Sequence, residues 1–168
     1  WNEVSPTLYE YRGTQTKFEQ YTLPGGENYK ELLITLPNKN SKFSMRDGET
    51  IEQTSDRLRK ENPKFVSGHW EQRNVLAHLR MNERTDADGK RVLFLEEVQS
   101  DWHQTGRKKG YEPRDPNEIA QTRYGAVPDA PFKKTWHMLA VKRAIQYAAE
   151  NGFDRIAWTT GDQQAERY

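Results

Sequence analysis

The chain has 168 residues, the length of a single domain. Hydrophobic residues make up 33% and charged residues 30%, below the roughly 45–50% apolar share of an ordinary globular domain. Aromatics nevertheless reach 11%, which excludes a disordered polar chain and predicts a small aromatic-rich core carrying long polar loops. The 26 basic and 25 acidic residues leave a net charge of +1, which excludes a bulk polycation gripping nucleic acid by counterion release alone but leaves nucleic acid open as a partner.

The absence of cysteine excludes a disulfide scaffold, a thiolate zinc centre and a cysteine nucleophile. No apolar run approaches the roughly 20 residues that span a bilayer, so no membrane partner is expected. Trp1-Asn2-Glu3-Val4 has neither a basic nor an apolar leader region. The opening without Met and the close at Ala165-Glu166-Arg167-Tyr168 predict a piece of a longer, multi-domain protein.

In chain order, residues 1–28 mix aromatics with turn formers and read as an irregular segment ending at Pro24-Gly25-Gly26. Residues 29–36 read as a strand stopped by Pro37, and residues 50–61 as a surface helix with few apolar positions. Val75, Ala77, Leu79 and Met81 alternate with Leu76, His78, Arg80 and Asn82, the period of two of a half-buried strand. The polar turn Thr85-Asp86-Ala87-Asp88-Gly89-Lys90 then leads to Arg91-Val92-Leu93-Phe94-Leu95, apolar on both faces as a central strand requires. Residues 74–84 and 91–99 therefore form a predicted hairpin.

Residues 104–132, with Gly106, Gly110, Pro113, Pro116, Gly125, Pro128 and Pro131, read as a long functional loop. Residues 133–150 form the best helix, with Trp136, Leu139, Ala140, Ala144, Tyr147 and Ala148 on one stripe and Asn151-Gly152 as its stop. Residues 153–159 read as a strand, followed by a last helix from Asp162. Strand, helix and strand in this order make a crossover, so strands 91–99 and 153–159 should be parallel. The predicted fold is α+β, a mixed sheet with an antiparallel hairpin and a parallel strand-helix-strand unit in a single domain.

Polar residues take over abruptly after Leu95: Glu96, Glu97, Gln99, Ser100, Asp101 and His103. If the strand continued, Glu97, Gln99 and Asp101 would share one face and Glu96, Val98 and Ser100 the other. Glu97 and Asp101 are candidate general bases, His103 a second acid–base group, and Gln99 an amide able to orient a substrate. A solvated strand end explains the same residues equally well. Glu97, Asp101 and His103 could also ligate a hard or borderline metal, although no second cluster with ligand spacing accompanies them.

The turn Trp158-Thr159-Thr160-Gly161-Asp162 can present hydroxyls and amides to a phosphate, or Thr159 and Thr160 can simply cap the helix. Arg107-Lys108-Lys109, flanked by glycines, could steer a phosphate or be a wet surface. His69-Trp70 with Asn74 and His78 reads most simply as structural. No nucleophile elbow, P-loop, dinucleotide fingerprint or zincin motif is present.

Three stretches carry a resemblance: Leu23-Pro24-Gly25-Gly26-Glu27-Asn28-Tyr29, Glu96-Glu97-Val98-Gln99-Ser100-Asp101-Trp102-His103, and Trp158-Thr159-Thr160-Gly161-Asp162-Gln163-Gln164-Ala165-Glu166-Arg167-Tyr168. They resemble an uncharacterised domain of large phage and prophage proteins of the polyvalent type. That resemblance implies a mobile-element origin, a place in the host cytoplasm or the virion, and continuation past Tyr168; it brings no activity with it.

The order of hairpin 74–99, helix 133–150 and strand 153–159 also resembles, in topology, the GNAT acyltransferases. There an acyl-CoA lies between splayed strands, and the closing helix is similar to Gln163-Gln164-Ala165-Glu166-Arg167-Tyr168. The family's Arg/Gln-x-x-Gly-x-Gly/Ala loop is absent, since Gln104, Gly106 and Gly110 have another spacing. The resemblance implies a transferase for a phosphate-bearing cofactor such as acetyl-CoA, held near Thr159, Thr160, Gly161 and Arg107, with residues 98–100 on the acyl carbonyl and an amine as acceptor. A metal-dependent hydrolase or nuclease on Glu97, Asp101 and His103 is the alternative enzyme. A non-catalytic interaction module with Trp and Tyr anchors is the alternative outside enzymes.

Overall fold

The computed structural model describes residues 7–11, 16–37, 44–61, 65–112 and 125–165, with backbone alone at 7–11 and 59–61. Its contacts sort into two compact units, each assembled from separate stretches of chain. One comprises Trp1–Thr7, Thr35–Leu76 and Asp101–Lys133; the other comprises Leu8–Ile34, Ala77–Ser100 and Lys134–Tyr168.

Five strands make one sheet in the order β1 (Thr7–Tyr11), β2 (Glu27–Thr35), β3 (Val75–Thr85), β4 (Arg91–Gln99) and β5 (Arg155–Trp158). β3 and β4 pair antiparallel from Thr85↔Arg91 to His78↔Gln99. β4 and β5 pair parallel from Val92↔Arg155 to Leu95↔Trp158. The fold is α+β with a mixed sheet, as the alternation and the crossover argument require. Two corrections apply to the N-terminal segment read as irregular: it contributes β1 and a 3-10 turn at Glu19–Tyr21, and β2 begins at Glu27. Those short runs lack the length that makes periodicity legible.

The turn between β3 and β4 is closed by Asp86. Its side chain accepts the amides of Asp88 and Lys90, both at 2.9 Å, while Gly89 takes a φ of 74°. Helix α3 (Trp136–Glu150) ends in the six-to-one and five-to-two bonds of a Schellman motif. The Phe153 amide donates to Ala148 at 2.9 Å and the Gly152 amide to Ala149 at 3.3 Å, with Gly152 at a φ of 68°. Arg91 donates to the carbonyls of Asn151 and Gly152 and lies 4.6 Å over the Phe153 ring, which ties the start of β4 to the end of α3.

The apolar stripe of α3 is where the spacing places it. Ala140, Ala144, Tyr147 and Ala148 join Leu32, Ile34, Ala77, Leu79, Met81, Leu93 and Leu95 in one buried cluster, with Trp136, Leu139, Ile156 and Val98 packed against it.

The period of two predicts a half-buried β3, but the structure buries both sides: Leu76, His78, Arg80 and Asn82 are all nearly inaccessible. A polar residue on such a strand persists only if its hydrogen bonds are met inside the protein.

In the other unit, α1 (Ile51–Glu61) starts with a reciprocal capping box. The Thr50 amide donates to Gln53 Oε1 at 2.8 Å and the Gln53 amide to the Thr50 hydroxyl at 3.2 Å. Arg57 donates from Nε and Nη2, one edge of its guanidinium, to the two Glu49 oxygens at 2.8 and 2.9 Å, which holds the Glu49 carboxyl down at about 2.

The stretch 104–132 read as a loop is corrected at its start: α2 runs over Asp101–Lys109. Gly106 and Gly110 suggest breaks, yet each has a local purpose. A side chain at Gly106 would strike the Tyr111 ring at 2.1 Å, so this glycine lets the ring lie across the helix. Gly110, at a φ of 93°, supplies the left-handed stop. Of the remainder, residues 113–124 lie outside the described residues, and Tyr111 and Val127 form a parallel bridge.

Candidate functional site

The strand that carries the acidic run is bulged. Register passes from Arg80↔Glu97 directly to Met81↔Leu95, leaving Glu96 with no residue opposite. Leu93, Leu95 and Val98 all face the apolar cluster, a spacing of two and then three. The extra residue therefore turns both Glu96 and Glu97 to the other side. The expectation that Glu97, Gln99 and Asp101 share a face holds for the first two, whose register against Arg80 and His78 is regular, and is corrected for Asp101, because the strand stops at Gln99 before helix α2 begins; the bulge instead overturns the expected grouping of Glu96 with Val98.

On that other side, Glu97 pairs with Arg80 at 2.7 Å. Glu96, fully buried, accepts from Asn82 at 2.8 Å and Arg84 at 3.3 Å. Arg84 also lies 4.1 Å from the Phe94 ring centroid. From β2, buried Glu31 accepts the Tyr29 hydroxyl at 3.0 Å. Burial, and then the Glu31 carboxylate, push the Tyr29 phenol far above its ordinary range. This is an interior polar layer built from β2, β3 and β4. Gln99 sits half-buried opposite His78.

The unit containing α2 has its own polar groups. Asp101, at the first residue of α2, holds His69 Nδ1 at 2.9 Å; the imidazole is 53% exposed and the carboxylate 13%. His103 is fully buried between aromatic groups, 6.4 Å from the Trp102 indole, and its Nδ1 is 2.9 Å from the Tyr111 hydroxyl. Trp102 stacks on Phe65 at 5.1 Å and donates its indole N–H to Pro128 at 2.8 Å.

Burial first, then the charges of Arg107 and Lys133, hold the His103 pKa down at about 4, so the ring is neutral at pH 7. Tyr111, under the Lys133 ammonium at 4.4 Å, is pushed above its ordinary value, mainly by burial. Asp101 and His103 are two residues apart on one helix and so do not face each other.

The sequence thus places Glu97, Asp101 and His103 in one run, and the structure gives each a different partner: Arg80, His69 and Tyr111. The pairing of His69 with Asp101 spans 32 positions, and no short-range signal in the sequence announces it.

The Trp158–Asp162 turn is closed on itself. The Thr160 amide donates to Gln163 Oε1 at 2.9 Å and the Gln163 amide to the Thr160 hydroxyl at 3.3 Å, a second capping box at the start of α4 (Gly161–Ala165). Gln164 donates to the Thr159 hydroxyl and, at 2.9 Å, to the Glu96 carbonyl. Both threonine hydroxyls and the Thr160 and Gln163 amides are taken up in closing this turn, and Asp162 adds a negative charge to its first residues. The turn as built does not fit a phosphate-bearing cofactor. Arg107 lies exposed in the last turn of α2, where its charge complements the helix dipole and lowers the His103 pKa.

Comparison of the chain with families of known proteins, with curated proteins and with solved structures returns no match. Among the described residues no three His, Asp or Glu side chains converge as metal ligands, and no helix is long and apolar enough to cross a membrane.

Proposed function

We propose that the chain is an enzyme of the group-transfer class in which Asp101 orients His69 as the general base. One observation carries this reading: the 2.9 Å contact between His69 Nδ1 and Asp101 joins a half-exposed imidazole to a carboxylate that is itself mostly buried. A carboxylate on one ring nitrogen selects the tautomer and stabilises the imidazolium formed when the ring takes a proton. Nε2 then serves an amine or hydroxyl acceptor.

Acyl transfer is the favoured chemistry. The topology supports it: β4 pairs parallel with β5 up to Leu95↔Trp158 and continues to Gln99, the region in which the acyltransferase resemblance implies that an acyl group is held. The phage and prophage resemblance supports reading the chain as a module of a larger mobile-element protein acting in the host cytoplasm or the virion.

A thermal-shift panel with acetyl-CoA, NAD, nucleotides and divalent metals tests the class, because a ligand bound by the native state raises its melting point. Turnover of p-nitrophenyl acetate in the presence of amines tests the dyad. His69→Gln and Asp101→Asn are each expected to slow it by about 10²-fold. Stabilisation by a metal alone, or wild-type rates in both variants, defeats the reading.

A second reading has its own observation. On α3, Met138, Val141 and Ile145 form an exposed apolar stripe at 50%, 39% and 55% accessibility, and Trp158 of β5 is 69% exposed. An interaction module would use such residues as anchors, and a flat thermal-shift panel selects it.

A further inference from the structure

The last turn of α2 carries three cations in a row, Arg107, Lys108 and Lys109, all exposed. Surface cations elsewhere meet carboxylates: Arg91 reaches Glu83 at 3.1 Å, Arg143 reaches Glu150 at 3.0 Å and Arg155 reaches Asp88 at 2.9 Å. Among the described residues, none of the three on α2 has an acidic partner. The helix dipole favours cations at this end, but it calls for no aromatic ring beside them.

A second stretch of chain is fastened against this turn and brings both a cation and a ring. The Val127 amide donates to the Gly110 carbonyl at 3.1 Å and the Glu112 amide to the Val127 carbonyl at 2.7 Å. Lys133 then lies 4.4 Å over the Tyr111 ring, the ring that leaves no room for a side chain at Gly106. Arg107 and Lys133 both act on His103 from here. Of the acids nearby, Asp129 pairs with Lys133 and Glu112 is half-buried, so cations outnumber them.

Phe132 precedes Lys133 at a φ of 61° and is 37% exposed. Left-handed backbone is unfavourable for a bulky aromatic residue, and a ring left in water gains little burial to offset it. Strain kept at an exposed ring beside unpaired cations points to binding rather than packing.

We propose that Arg107, Lys108, Lys109 and Lys133 form a track for the phosphates of single-stranded nucleic acid, and that Phe132 is the ring on which one of its bases stacks. An unpaired strand offers both an anionic backbone and open base faces, the two things this patch can hold. A duplex hides the faces, and an acidic peptide has none. With a net charge of only +1 on the whole chain, the attraction is local to this patch. This inference stands apart from the His69–Asp101 reading and does not depend on it.

The test uses the full chain and a fluorescein-labelled oligothymidylate of about 12 nucleotides, with binding read by anisotropy over a series of salt concentrations. Saturable binding is expected, with the logarithm of affinity falling against that of salt at a slope of about −2 to −3, the value for three or four phosphate contacts on a single strand. Phe132→Gly removes the ring and suits the left-handed backbone, so its melting point should hold or rise. Its affinity should fall about tenfold with the salt slope unchanged. Lys108→Ala combined with Lys109→Ala should weaken binding and make the slope shallower by about 1.4.

The inference is overturned by an absence of saturable binding at about 50 mM salt, or by wild-type affinity in either variant. Displacement by polyglutamate as effective as by unlabelled strand assigns the patch to acidic peptides instead. Equal displacement by a duplex of the same length removes the role of Phe132 and overturns the inference as well.

Discussion

The two units bury polar groups by opposite means. Around the β2–β4 layer, Glu31, Arg80 and Glu96 are buried in partnership: carboxylate against guanidinium, amide or peptide N–H. Around α2, His103 is buried as a neutral ring, stacked on Trp102 and bonded to Tyr111. The first solution keeps the charges and supplies partners; the second gives up the charge. Burial of an uncompensated ion is so costly that these are the two outcomes available, and they fail differently when one component is removed or the pH is lowered.

The largest expected effect is in the paired layer. Arg80→Met leaves Glu97 without its 2.7 Å partner and takes a donor from the Phe18 carbonyl. Urea denaturation should show a loss of about 3–5 kcal/mol, the cost of breaking a buried pair from one side. Arg80→Met with Glu97→Gln should recover part of it. A loss no greater than that of a surface substitution would erase the distinction between the units.

The neutral solution is tested by acid. A histidine whose folded pKa is held at about 4, against an ordinary value of 6.5, binds fewer protons folded than unfolded between those values. Stability is therefore intact above about pH 6.5 and falls as the pH drops toward 4, by on the order of 3 kcal/mol. His103→Asn should flatten that slope. The window from 6.5 to 4.5 lies above the range in which the Glu49 carboxyl, held at about 2, takes up its proton.

The smallest effect sets the baseline. Arg155, half exposed, pairs with Asp86 and Asp88 at 2.5 and 2.9 Å. The Asp86 carboxyl is held low first by the Lys90 amide and only then by Arg155. Arg155→Ala should cost about 0.2–1 kcal/mol in the same denaturation assay.

Much of the fold was legible in local pattern. The alternation in 75–81, the Asp86–Gly89 turn, the α3 stripe and the Gly152 stop each depend on neighbours within a few positions, and each is in place. Helix α2 was obscured because two glycines read as breaks, when one makes room for Tyr111 and the other ends the helix. Of the candidate site, the acidic run was plain in the sequence, but the partners of its members were not. Arg80, Arg84, Glu31 and His69 come from other elements; the first three were legible only as members of predicted strands, and His69 only as a structural histidine.

Sequence by itself determined the hairpin, the long helix and the parallel crossover, because helix and strand periods and turn chemistry act between residues close in the chain. Tertiary structure alone decided which way the carboxylates point. One unopposed residue at Glu96 reverses the phase of β4, sending Glu96 and Glu97 together toward Arg80, Asn82 and Arg84. Register is a long-range property: a shift of a single residue moves every later side chain to the opposite face, and only packing against the neighbouring strand selects it.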